Sequence, residues 1–94
     1  MAKEKIIYKF RILSESTVIQ LPMDHKYLAC DSQEGYEVMW FLMEKPTSGM
    51  PMIEREFITY KTGEIILYDI KQKYIGTVMS KKIGHVTHIF ELIK

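Results

Sequence analysis

The stretch YEVMWFLME, residues 36–44, is the longest apolar run of the chain and contains its only tryptophan. In an extended strand, successive side chains point to opposite faces. Both faces of this strand are then apolar, with Val38, Trp40 and Leu42 on one and Met39, Phe41 and Met43 on the other. Such a strand needs cover on both sides. The pattern is typical of a central strand in a two-layer fold, or of a strand with one face in a subunit contact.

The size of the chain makes the second face of this strand a problem. A single domain of 94 residues has a modest core and too little mass to cover both faces. We therefore expect the chain to form a homo-oligomer, in the simplest case a dimer. Within each copy, we expect Trp40 to be a core residue.

Alternation of apolar and polar residues predicts further strands around this centre. Two of them are expected to form a first hairpin across a polar turn at residues 14–16, and Glu34-Gly35 supplies the glycine of another hairpin turn before the central strand. No stretch shows a helical period. The sequence predicts an all-β single domain over residues 1–94, an antiparallel meander of about seven short strands that forms a small barrel or sandwich. Besides the central one, the strands are expected at residues 6–12, 17–21, 26–32, 55–62, 73–80 and 85–93.

Three segments carry less definite patterns. Residues 64–70, EIILYDI, fit either a strand or a single helical turn. Residues 45–53, KPTSGMPMI, form a loop whose Met50 and Met52 make it unusually apolar; it either folds back on the sheet edge or forms an adaptable binding lip. Gly76 indicates a bulge or the close approach of another group, with Trp40 as one candidate neighbour.

Charge and composition weigh against several classes of protein. A net charge of +1 lacks the basic excess of most nucleic-acid binders, so we do not expect a polynucleotide partner. The single cysteine, Cys30, cannot form an internal disulfide, which favours a reducing compartment such as the cytoplasm. The N-terminal residues resemble no signal peptide. No apolar run approaches the roughly 18 residues of a membrane span, so we expect no membrane association.

The residue patterns of common catalytic and metal sites were not found. One cysteine and three histidines show no paired metal-ligand spacing, and His85 and His88 fall on opposite faces of a strand. For His88, a buried histidine that is hydrogen-bonded to a neighbour is the alternative to a ligand-binding role. Cys30 fits core packing better than nucleophilic chemistry. Without a glycine-rich phosphate loop either, we expect no catalytic residue, metal or cofactor.

The remaining candidates are suited to binding. Arg11 and Arg55 can each present a planar fork to a phosphate or carboxylate, unless their partners are internal carboxylates at Glu37, Glu54 or Glu56. Aromatic rings can stack on a base or fill a partner's pocket. The candidate ligand-binding residues are Arg11, Arg55, Tyr60, Lys61, Tyr74 and His88, and the candidate interaction surface comprises Met50, Met52 and Trp40.

The order of short motifs in this chain is similar to that in a family of small bacteriophage proteins. In that family the motifs read, in order, IYKY, LP, LWALV, TG, YIGT and HVFE. The corresponding residues here are Ile7-Tyr8-Lys9-Phe10, Leu21-Pro22, Met39-Trp40-Phe41-Leu42-Met43, Thr62-Gly63, Tyr74-Ile75-Gly76-Thr77 and His88-Ile89-Phe90-Glu91. Members commonly read GTGH at the turn where this chain has Tyr60-Lys61-Thr62-Gly63-Glu64, so no role is carried over for a glycine or histidine there.

The resemblance implies a phage origin and a compact β fold, and it implies no catalytic mechanism. By analogy with small accessory phage proteins, we expect a non-enzymatic protein that acts in the host cytoplasm by stoichiometric binding. One version is counter-defence, in which a homo-oligomer sequesters a host nucleotide signal. The equal alternative binds and inhibits a host protein through an apolar patch or an open strand edge. A minor virion or assembly component is a third class, and an enzyme is the last.

Overall fold

A computed structural model describes residues 4–13, 15–66, 70–80 and 84–93 of the chain. The described residues form seven strands and no helix. All strand pairs are antiparallel. The strands are β1 (Lys5–Ile12), β2 (Ser16–Pro22), β3 (His25–Gln33), β4 (Tyr36–Glu44), β5 (Met52–Lys61), β6 (Gln72–Met79) and β7 (Val86–Leu92).

The strands form two packed sheets, which confirms the all-β prediction and selects the sandwich. One sheet has the order β1-β4-β3, and the other has the order β2-β5-β7-β6. The hairpin between β3 and β4 is confirmed, with Glu34 and Gly35 at positive φ in its turn. The expected hairpin between β1 and β2 is wrong. These strands lie in different sheets, and the strand order departs from a simple meander, because β1 pairs with β4 along its whole length.

The core lies between the sheets and is centred on Phe41. Its side chain is fully buried and contacts the rings of Phe10, Tyr27 and Phe57. The expectation that Trp40 is a core residue is wrong. Side chains alternate along β4, so Trp40 points to the outer face of the three-stranded sheet, where it is half-buried.

Bulges in β3 and β6 bring these two edge strands together. The register shifts between Tyr27 and Ala29 in β3 and between Tyr74 and Gly76 in β6. The predicted bulge at Gly76 is therefore confirmed, but Trp40 is not its neighbour. A Cβ atom at Gly76 would lie 2.7 Å from the Sγ atom of Cys30. Gly76 thus allows β6 to lie close to Cys30 of β3, where a larger residue would clash.

The connection from β5 to β6 crosses the four-stranded sheet. Both strands are antiparallel to β7, which lies between them, so the chain must return along the length of the sheet before β6 begins. Residues 64–66 are not in a strand, and residues 67–69 of the ambiguous stretch lie outside the described residues. Residues 81–83, between β6 and β7, also lie outside the described residues, and these two strands pair with each other.

Candidate ligand site on the outer face of the three-stranded sheet

The structure separates the six predicted ligand-binding residues. Arg55 lies between the two sheets, whereas Tyr60, Tyr74 and His88 share the outer face of the four-stranded sheet. Lys61 ends β5 and is exposed. Arg11 lies apart from all of them, on the outer face of the three-stranded sheet.

Arg55 forms an internal ion pair. Its Nε and Nη2 atoms donate hydrogen bonds of 2.7 and 2.6 Å to the two carboxylate oxygens of Glu91, and both side chains are mostly buried. The hydrogen bonds from Arg55 are the main reason that the pKa of Glu91 lies below its ordinary value. The guanidinium also lies 5.5 Å from the ring centroid of Phe41. Arg55 is therefore satisfied within the fold.

The internal partner of Arg55 differs from the three carboxylates that the sequence suggested. Glu37 accepts a hydrogen bond from Thr87. Glu54 and Glu56 point away from the core and accept hydrogen bonds from the side chains of β2. Alternation explains the error, because Glu54 and Glu56 flank Arg55 and must lie on the opposite face of β5.

The aromatic residues on the four-stranded sheet are also satisfied internally. Tyr60 is almost fully buried and donates a hydrogen bond to Gln72, and the Tyr74 hydroxyl lies 2.6 Å from the Oγ1 atom of Thr77. The half-buried His88 has a hydroxyl near each ring nitrogen, Thr77 at Nδ1 and Thr62 at Nε2. The predicted hydrogen-bonded neighbours of His88 are present, but the predicted burial is not, because His88 is half-buried on the outer face of the sheet.

Arg11 has a different environment. Its guanidinium lies flat over the ring of Tyr36, with Cζ 3.6 Å from the ring centroid. Within the described part of the chain, Arg11 forms no ion pair. Arg11 is exposed to solvent, so the N–H groups of its guanidinium can donate hydrogen bonds to a molecule in solution. Arginine stacked on an aromatic ring keeps its fork geometry while it binds an anion.

A depression of about 490 Å³ lies beside Arg11. The Lys9 ammonium stands at this depression and donates a 2.7 Å hydrogen bond to Gln33. Two cations, an amide and an aromatic ring are the groups that bind a phosphate or carboxylate attached to a planar ring system. The depression is lined by Lys9, Arg11, Gln33, Glu34, Tyr36 and Val38.

The sequence identified Arg11 but missed Tyr36, Lys9 and Gln33. Alternation places Lys9 on the same face as Arg11, so this signal was present. Gln33 and Tyr36 could be placed beside them only once the β1–β4 and β3–β4 registers were known.

The residues of the predicted interaction surface do not form one surface. Met52 begins β5 opposite Pro22 in the four-stranded sheet, and Met50 is half-buried in the preceding turn. Trp40 lies on the three-stranded sheet instead. Of the three, Trp40 alone shares a face with Arg11.

Among the described residues, no group of three or more histidine, cysteine, aspartate or glutamate side chains is arranged to hold a metal ion. Nor does this part of the chain include a helix long and apolar enough to cross a membrane.

The fold and the depression define a small two-sheet β protein with a cationic, aromatic site on an open sheet face. The family model for the domain of unknown function DUF7352 matches residues 3–94. The chain therefore belongs to that family. No curated protein and no solved structure matches it.

Proposed function

We propose that this protein acts by stoichiometric binding of a small anionic ligand that carries a planar ring, a nucleotide by chemical class. The observation that carries the proposal is the stacked, exposed guanidinium of Arg11 beside the depression. Its charge is available to an incoming phosphate, and Lys9 adds a second cation. The ring of the ligand contacts the apolar side of the same face, where Trp40 is half-buried.

The setting follows from the resemblance to bacteriophage proteins. A small protein that binds a nucleotide without converting it lowers the free concentration of that nucleotide in the host cytoplasm. If the nucleotide is a defence signal, the result is counter-defence. Sequestration needs affinity and abundance, and it needs no catalytic group.

Calorimetric titration with mononucleotides, cyclic dinucleotides and ADP-ribose tests the proposal. Arg11→Ala is expected to weaken binding by roughly 1.5 to 3 kcal/mol, about tenfold to somewhat over a hundredfold, because a charge-assisted contact is lost. Its melting temperature should change little. Arg55→Ala should show the reverse, with a lower melting temperature and an unchanged intrinsic affinity in the folded protein, because its partner is internal.

The matched control for charge is Lys45→Ala. Lys45 forms an exposed ion pair with Glu4 beyond the far end of β4 from Tyr36. Loss of this charge should leave the affinity unchanged. If the parent protein gives no heat with any nucleotide in the panel, the small-molecule proposal is wrong.

A host protein is the second candidate ligand, and the exposure of Ile7 favours it. Ile7 is 64% exposed and lies beside Leu42 on the face that carries Trp40. Aromatic and aliphatic side chains of this kind are the usual anchors of protein contacts. Capture of one host protein by the parent and not by Trp40→Ala, together with no heat from nucleotides, would support this candidate.

A further inference from the structure

The outer face of the three-stranded sheet, which we call the Trp40 face, has an apolar centre. Ile7, Leu42 and Trp40 lie there, and the small Ala29 is paired with Trp40 on the next strand. The four-stranded sheet packs against the opposite face, so this face has no second layer of strands within the described residues. An apolar centre with a tryptophan is typical of a protein–protein contact.

Charged residues flank this centre on both sides: β1 carries Lys9 and Arg11, and β3 carries Asp31 and, opposite Leu42, Lys26. In one row across the sheet, β1 carries Arg11 and β3 carries Asp31. In the next row, β1 carries Lys9, β4 carries Trp40 and β3 carries the uncharged Ala29. Arg11 and Asp31 are two strands apart, about 10 Å at the usual strand spacing. Within the described residues they form no ion pair, and the Arg11 guanidinium stacks on Tyr36 instead.

This distribution selects one way of packing two identical faces. A two-fold axis parallel to β4 places β1 of each copy over β3 of the other. Arg11 then meets Asp31 of the second copy, twice, Lys9 meets the uncharged Ala29, and Lys26 meets Ile7, so that no like charges are opposed in these three rows. An axis across the strands, through the row of Trp40, would pair Asp31 with Lys26 of the second copy, but it would also place β1 over β1 and oppose the two Lys9 ammonium groups. Sheets that pack face to face keep their strands within about 30°, so the rows nearest the centre stay opposed.

We propose that a second copy of this chain packs on the Trp40 face, related by a two-fold axis parallel to β4, with Arg11 of each copy paired to Asp31 of the other. The contact is isologous, so one charge pair in the sequence forms two ion pairs in the dimer. Three strands of eight or nine residues give a footprint of roughly 400 Å², less than the roughly 800 Å² per partner of a standard interface. A weak dimer is therefore expected, with a dissociation constant of about 10 to 100 μM.

The proposed dimer requires no nucleotide, but the dimer contact and the proposed nucleotide site both use Arg11. In the dimer its guanidinium faces a carboxylate and the depression is covered. A nucleotide therefore competes with the second copy.

Sedimentation equilibrium of the parent and three variants, up to about 500 μM, tests the dimer. The parent should dimerise. Arg11→Asp and Asp31→Arg should each weaken dimerisation about tenfold or more, because each places like charges opposite one another. The double variant R11D/D31R restores opposite charges in exchanged positions and should dimerise nearly as well as the parent. Circular dichroism of each variant checks that it is folded.

Three results would overturn the proposal: a parent that stays monomeric across the range, single variants that dimerise like the parent, or a double variant that stays as weak as the single ones. The double variant also separates the two proposals, because it regains the dimer without Arg11 and should not bind nucleotide. A monomeric parent that binds nucleotide would leave the proposed function standing alone.

Discussion

Replacement of Phe41 is expected to destabilise the protein far more than replacement of the neighbouring Trp40. Phe41 is fully buried and its ring contacts four other aromatic rings, those of Phe10, His25, Tyr27 and Phe57, at centroid distances of 5.7 to 6.3 Å. Emptying a buried phenylalanine site costs about 3 to 5 kcal/mol, and loss of several aromatic pairs places Phe41→Ala in the upper half of that range. Trp40 is half-buried on the outer face, so Trp40→Ala should cost about 1.5 kcal/mol, roughly half the value of a full burial.

Urea unfolding followed by circular dichroism measures both values at a concentration where the protein is monomeric. A domain of this size has a free energy of unfolding of roughly 5 to 14 kcal/mol, so Phe41→Ala could unfold the chain completely. Phe41→Leu keeps most of the apolar volume and is expected to remain folded, at a cost of about 1 to 2 kcal/mol. The reasoning is refuted if Trp40→Ala costs as much as Phe41→Ala, because Trp40 would then belong to the core.

Two further predictions concern the contacts between the sheets. Because Arg55 lowers the pKa of Glu91 from 4.5, the pair contributes full stability above about pH 4.5 and loses it as the pH falls through the lowered value; Glu91→Gln should reduce this acid dependence in urea unfolding measured at several pH values. Gly76→Ala should destabilise the protein by about 1 to 3 kcal/mol, since its Cβ would lie 2.7 Å from the Sγ of Cys30. The same change should cost clearly less in a Cys30→Ala background, and an equal cost in both would rule out this steric cause.

The sequence predicted the strands well because their residues alternate regularly. β4 occupies the predicted residues, and the remaining strands begin and end within a few residues of their expected bounds. Pairing was harder to predict. Alternation determines which side chains of β1 face the core, but it does not determine the strand with which β1 pairs, because both β2 and β4 fit. In the structure β1 pairs with β4, which has β3 on its other edge, and β2 pairs with β5 in the other sheet.

The two arginines show why the site was only partly predictable. Alternation correctly placed Arg55 on a half-buried face and indicated that it needs a partner. The partner, Glu91, is 36 residues away on β7, and only the sheet order brings it near. For Arg11, alternation placed the side chain with Lys9 on the polar face of a half-buried strand. Its stacking partner, Tyr36, belongs to a different strand and becomes a neighbour only through the register of β1 and β4.

Arg11 belongs to both the proposed nucleotide site and the proposed dimer contact. The apparent nucleotide affinity is therefore expected to fall as protein concentration rises. In the proposed dimer the depression is covered, so only the monomer would bind nucleotide and the apparent affinity would be proportional to the monomer fraction. At a total concentration tenfold above the dimer dissociation constant, about a fifth of the chains are monomeric and apparent affinity is about fivefold weaker. Titrations at low and high protein concentration measure this difference.

Asp31→Asn is the matched control for this dependence. It removes the carboxylate that Arg11 meets in the dimer, and it leaves Arg11, Lys9 and Tyr36 in place. Its dimer should be weaker, so its nucleotide affinity should be nearly the same at both protein concentrations and should match that of the dilute parent. If the parent dimerises and its affinity is also the same at both concentrations, the nucleotide does not bind at the covered face. Arg11 would then serve the dimer, and the ligand site would have to lie elsewhere on the protein.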